Sequence, residues 1–159
     1  MKAACKNYDE ELTRVLNSAV IKNIDEENSQ LYDYLTKHTG QPVDTIGKVE
    51  LLYNTLEIEL LHNLTLPSWT KNVSMEHLKT LAARSLETFT ENDFMKRMKG
   101  GILFKNNSVQ FLIYFVVGVF LKHVISCMEN VEKNPLLFLY SAHDLTLVNI
   151  LNTLGYKSM

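Results

Sequence analysis

Leu136-Leu137-Phe138-Leu139-Tyr140 is a continuous apolar run enclosed by a Lys133-Asn134-Pro135 turn and a Ser141-Ala142-His143-Asp144 corner. A short apolar run between turn signals fits a parallel β-strand buried on both faces. Such a strand constrains the rest of the fold, because its backbone groups have to be paired and both its faces covered. Directly after the corner, Leu147, Val148, Ile150, Leu151 and Leu154 fall at helical spacing, and Gly155 stands where a C-terminal cap belongs. Residues 133–159 therefore read as strand, polar corner and helix, one unit of an α/β sheet. No second convincing strand occurs, so either the strand reading fails or its neighbours lie outside these 159 residues.

Upstream the pattern is helical. Leu12, Val15, Leu16, Ala19 and Val20 recur at helical spacing over 9–24, behind the acidic opening Asp9, Glu10 and Glu11. A second helix is expected over 26–38, carrying Leu31, Tyr34, Leu35 and His38 and stopped by Gly40 and Pro42. A third over 45–62 places Ile46, Val49, Tyr53, Leu56 and Leu60 on one stripe. Pro67-Ser68-Trp69 interrupts, and Ser74 then offers an N-cap to a helix bearing Leu78, Leu81, Ala82, Ser85 and Phe89. Phe94, Met95 and Met98 form an apolar cluster suited to a core, before the glycine pair Gly100-Gly101. Residues 1–101 thus read as a helical domain. Residues 102–132 are apolar, then amphipathic, with Val117, Phe120, Val124, Cys127 and Met128 at helical period. The expected fold is mostly α-helical, with one β-strand and the helix that follows it.

With 46% hydrophobic and 21% charged residues, the chain is too apolar for a disordered tail and too polar for a membrane bundle. Sixteen basic against eighteen acidic residues, a net charge of -2, give no positive field for nucleic acid or anionic lipid, so neither is an expected partner. The apolar stretch from Phe111 to Leu121, bracketed by Gln110, Lys122 and His123, falls short of the roughly 20 residues a membrane span needs. His38, His62, His77, His123 and His143 form no i, i+4 pair among themselves and read as lacking cysteine company, so no metal site and no cofactor are expected. Cys5 and Cys127 are too few for a disulfide framework and could pair with each other or with nothing. The opening MKAACKNYDEEL has no apolar h-region, so no signal peptide is expected from it, and a complete product starting there would stay in the cytosol.

The chemistry of interest gathers at the corner. In open α/β sheets ligands bind beyond the carboxyl ends of the strands, where a following helix offers N–H groups and positive dipole to anions. There, Asp144 could protonate a leaving oxygen as a phosphate ester breaks, and an imidazolium at His143 could stabilise charge on the phosphoryl oxygens. A structural reading of the same pair has Asp144 cap the helix and His143 sit partly buried, satisfied by backbone. Spacing alone favours that plainer reading.

The wording of the sequence adds what spacing does not. Leu139-Tyr140-Ser141-Ala142-His143-Asp144-Leu145-Thr146-Leu147 closely resembles the second signature of the histidine acid phosphatases, a strand ending in Y-S-A-H-D-T-T, with Leu145 where that family often has Thr. His62-Asn63-Leu64-Thr65-Leu66-Pro67-Ser68-Trp69 resembles the family's H-N-x-T-L-P-x-W segment. Arg97-Met98-Lys99-Gly100-Gly101-Ile102-Leu103 resembles its R-x-x-G-G/P-x-L stretch, and Lys37-His38-Thr39-Gly40 its H-T-G turn. The resemblance implies a lumenal, lysosomal or secreted hydrolase of phosphate monoesters, working at acid pH through a phosphohistidine intermediate. It implies the α/β histidine phosphatase fold, a parallel sheet with an inserted helical domain, and a homodimer. Asp144 would be the proton donor and His143 a contact to the phosphoryl oxygens.

The family's nucleophile comes from an R-H-G-x-R-x-P motif, and no such motif occurs in this chain. The resemblance therefore implies roughly the C-terminal half of such an enzyme, inactive alone. The family continues past the last helix to a closing cysteine, so Cys5, in a context like a family disulfide cysteine, would be left free. Residues 106–121 read as extra length relative to the family, an insertion. Three N-x-S/T sequons, at Asn63, Asn72 and Asn106, are glycosylation candidates if the chain enters the secretory pathway, Asn63 foremost because it lies in the matching segment. The alternatives are a non-catalytic helical protein kept for binding, or a truncated gene product.

Overall fold

The computed structural model describes residues 5–100, 116–129 and 137–156. They form eight α-helices and two short 3₁₀ turns, and the chain divides into two compact units, Asp9–Thr88 and residues 1–8 with 89–159.

In the Asp9–Thr88 unit, the helix expected over 9–24 is two helices, α1 (Lys6–Leu16) and α2 (Ala19–Glu27). The physical reason is Asn17-Ser18. Asn17 turns its side-chain amide back onto the Thr13 carbonyl at 2.8 Å, and the Ser18 hydroxyl accepts from the Ile21 N–H at 3.4 Å, starting a new helix. Short polar side chains compete with the helical ladder in this way, and hydrophobic period does not register it. Asn28 does the same between α2 and α3 (Ser29–Thr39), its amide donating to the Ile24 carbonyl at 2.8 Å. Gly40 closes α3 in the left-handed region at φ 70, its N–H on the Thr36 carbonyl.

The helix expected over 45–62 appears as α4 (Ile46–Leu61), capped by the Thr45 hydroxyl. Ser74 caps α5 (Met75–Glu87), accepting from the His77 N–H at 3.2 Å. The stripe Ile46, Val49, Tyr53 and Leu56 on α4 packs with Leu78, Leu81 and Ala82 of α5 and with Ile21, Tyr32, Leu35 and Val43 in one buried cluster. Asp25 ties this cluster together: one carboxylate oxygen accepts from the Tyr32 hydroxyl at 2.9 Å and from the Ile46 N–H at 3.0 Å. A carboxylate at the start of α4 also meets the positive end of its dipole.

The Tyr53 hydroxyl donates to Glu57 at 2.6 Å, and desolvation, helped by that hydrogen bond and the carboxylate charge, pushes Tyr53 up to about 12. An unfolded tyrosine titrates near 10. Between those values the unfolded chain has lost the proton and the folded one keeps it, so stability from Tyr53 is full below about pH 10 and falls as pH rises toward 12. Urea midpoints are expected to drop across that window and to drop less in Tyr53→Phe; equal slopes would contradict the assignment.

The second unit contains α6 (Asp93–Gly100), α7 (Val116–Glu129) and α8 (Asp144–Thr153), with α6 packed against both of the others. Asn92 opens α6 by accepting from the Met95 N–H at 3.0 Å, and Met95 is fully buried, as its core cluster requires, while Phe94 stays exposed. The Tyr8 hydroxyl donates to the Phe89 carbonyl at 2.8 Å, and the Lys99 ammonium lies 4.3 Å from the centre of the Tyr8 ring. Asn152 on α8 donates to the Thr90 hydroxyl at 2.9 Å.

The expected strand is corrected here. Leu137–Tyr140 is neither helix nor paired strand, and Leu137 and Leu139 are 71% and 87% exposed. A strand exists by bonding to a neighbour, and among the described residues there is none to bond to. The helix expected after the corner forms as α8, closed by Gly155 at φ 89. Leu136, the Lys133-Asn134-Pro135 turn, Gly101, Asn106 and residues 106–115 of the expected insertion lie outside the described residues. Among the described residues, no helix is long and apolar enough to cross a membrane.

Candidate functional site

The corner is built by the entry into α8. His143 is its N-cap residue in extended conformation, φ -71 and ψ 156, and its carbonyl accepts from the N–H groups of Thr146 at 2.9 Å and Leu147 at 3.2 Å. Its imidazole makes no capping bond and is exposed, so the expectation of a partly buried ring is corrected. Asp144 is the first helical residue, also exposed, and its carboxylate accepts from the Leu145 N–H at 2.6 Å. The carboxylate thus occupies one of the helix-opening N–H groups expected to face an anion, and shares the favourable end of the dipole. Side by side in sequence and both open to solvent, the two groups offer a carboxyl and an imidazole to a ligand approaching the start of α8.

The segments singled out in the Asp9–Thr88 unit have their own geometry. α4 ends in a Schellman motif: Leu64 N–H bonds the Glu59 carbonyl at 2.9 Å, Asn63 N–H bonds the Leu60 carbonyl at 3.0 Å, and Asn63 takes φ 56. Asparagine tolerates that left-handed position far better than most residues, so part of the His62-Asn63 wording is explained by helix termination. Asn63 is exposed, as its sequon requires. Asn72, also exposed, ends the 3₁₀ turn Ser68–Asn72 and donates to the Tyr34 hydroxyl at 3.3 Å.

That hydroxyl in turn donates to the Trp69 carbonyl at 3.0 Å. The His38 ring lies between Tyr34, 4.3 Å away, and Trp69, nearly parallel at 6.1 Å. The H-T-G turn and the P-S-W segment, far apart in sequence, therefore meet through His38 and Trp69.

A third group was missed by sequence reasoning. The histidines read as having no cysteine company, yet His123 and Cys127 are four apart on α7, with Nε2 3.6 Å and Nδ1 3.9 Å from the sulfur. The i, i+4 step that brings helix side chains together was the available signal. Neither Cys5 nor Cys127 forms a disulfide. Among the described residues, no three His, Cys, Asp or Glu side chains gather as a metal ion would need.

No protein-family model matches the chain. Among curated proteins it is similar to the lysosomal acid phosphatase of Homo sapiens, 26% identical over 147 residues, which is 91% of this chain and 31% of that protein. It is also similar to a venom acid phosphatase of Apis mellifera, 26% identical over 152 residues, 94% of this chain and 36% of that one. A prostatic acid phosphatase of Bos taurus is 27% identical over 146 residues, 89% of this chain and 34% of the relative. The chain thus spans about a third of the length of the curated relatives it matches.

Proposed function

We propose that this chain supplies the leaving-group side of an acid phosphatase that hydrolyses phosphate monoesters. Asp144 gives its proton to the alcohol oxygen as the P–O bond breaks, and His143 contacts the phosphoryl oxygens. The observation that carries this reading is the alignment of about nine-tenths of the chain with proteins named acid phosphatases. The open carboxyl and imidazole at the start of α8 fit it. The nucleophile has to come from an R-H-G-x-R-x-P segment, which these 159 residues lack, so the chain alone is inactive. In this reading residues 1–101 are part of the helical domain and 133–159 the strand-helix unit of a parallel sheet, with Leu137–Tyr140 taking strand form once a neighbour is present. The setting is lysosomal or secreted, with a homodimer as the assembly and glycans on Asn63 and Asn72.

The second reading, a helical binding protein without turnover, is favoured by one observation, the missing nucleophile motif. Mixing the chain with a separately produced N-terminal part of a related acid phosphatase, carrying R-H-G-x-R-x-P, separates the two. The phosphatase reading expects p-nitrophenyl phosphate hydrolysis above the sum of the separate parts. A complex that forms and turns nothing over would favour the binding reading.

A further inference from the structure

His123 and Cys127 project from successive turns of α7 onto one face, with the sulfur 3.6 Å from Nε2. That is within reach of an S–H···N hydrogen bond, and it aligns a thiol with a base. The imidazole is not left to wander. It meets the rings of Phe138 and Tyr140 edge-on, at 6.2 Å and 6.1 Å, and those two rings stack on each other within 7°. Tyr140 also hydrogen-bonds to Cys127. Desolvation first, then the sulfur, raises the Tyr140 hydroxyl above its ordinary range, which keeps it protonated as a donor to a developing thiolate. His123 is exposed and Cys127 partly so, which leaves the sulfur an approach from solvent. The site is thus a thiol, a base, a hydroxyl donor and two aromatic walls, drawn from α7 and from the segment that leads to the corner.

We propose that Cys127 is a nucleophilic thiol with His123 as its base, and that the site takes a low-molecular-weight disulfide. In the step, His123 accepts the thiol proton while the Cys127 sulfur attacks one sulfur of the disulfide. The S–S bond breaks, a mixed disulfide forms on Cys127, and the departing thiolate takes the proton back from the imidazolium. Cys127 is oxidised and the departing sulfur is reduced, so no other oxidant is required. The His123–Cys127 pair lies within α7, so its assignment does not depend on the phosphatase reading.

Two features make the test demanding. The carbonyls at the C-terminal end of α7 oppose negative charge on Cys127, so His123 and Tyr140 must outweigh them. Cys5, partly exposed just before α1, has a helix N-terminus in its favour and serves as an internal rival. The full chain would be treated with glutathione disulfide at neutral pH, and the rate of mixed-disulfide formation at each cysteine followed by peptide mass mapping. Cys127→Ser fixes the assignment of the peaks.

The quantity read is the Cys127 rate divided by the Cys5 rate, which cancels general changes in exposure or concentration. In His123→Gln that ratio is expected to fall about five-fold or more, as removal of a base next to a thiol requires. In Tyr140→Phe it falls less. An unchanged ratio in His123→Gln overturns the proposal, and so does an unaltered chain in which Cys127 takes no glutathione.

Discussion

In the proposed reconstituted phosphatase, Asp144→Asn is expected to slow hydrolysis of a simple alkyl phosphate by about 10²- to 10⁴-fold, the range that a positioned proton donor contributes. Turnover of p-nitrophenyl phosphate should fall far less, because p-nitrophenolate departs without a proton. The substitution leaves the corner's local structure in place, since Asp144 is exposed and an asparagine oxygen can still accept from the Leu145 N–H. The leaving-group contrast is what distinguishes proton donation from a merely structural part for Asp144. Equal losses on both esters would remove the proton-donor role, while reconstituted activity indifferent to Asp144 would remove the residue from the mechanism altogether.

Leu35→Ala is expected to destabilise the Asp9–Thr88 unit by about 3 kcal/mol, within the range for emptying a leucine-sized space in a packed core. Leu35 is fully buried, in the same cluster as Ile46, Val49 and Leu78. Against a total stability of about 5–15 kcal/mol for an ordinary domain, that loss is a large share. Urea unfolding followed by far-ultraviolet circular dichroism reads it directly. A change below about 1 kcal/mol, the level of a surface substitution, would mean that the cluster is not packed around this side chain.

What could be read from the sequence follows from which forces leave a local trace. The stripe Ile46, Val49, Tyr53 and Leu56 of α4 and the Ser74 cap of α5 are visible because burial and capping each fix a residue type at a fixed spacing, whereas Leu60, expected on the same stripe, is 48% exposed. The break between α1 and α2 left no gap in the apolar period; only Asn17 and Ser18 carried it, through bonds to backbone groups that a hydrophobicity pattern does not weigh. The Leu136–Tyr140 run shows the opposite error. Its composition suits a strand, but strand formation is a property of pairs of segments, and the apolar side chains of 137–140 stand exposed among the described residues.

The candidate site divides in a similar way. His143 and Asp144 were legible as words in a familiar order. The contacts of His38 with Tyr34 and Trp69 were not, because they join segments some thirty residues apart. His123 and Cys127 are legible in principle, because residues four apart on a helix share a face.

The stack on Trp69 has an optical consequence. Trp69 is the sole tryptophan of the chain, and it packs against the core of the Asp9–Thr88 unit with the His38 ring nearly parallel to its own. Indole emission is therefore a private channel from that unit, sensitive to the ring stacked on the chromophore. A titration in which fluorescence and circular dichroism part company would report the two units melting as separate bodies.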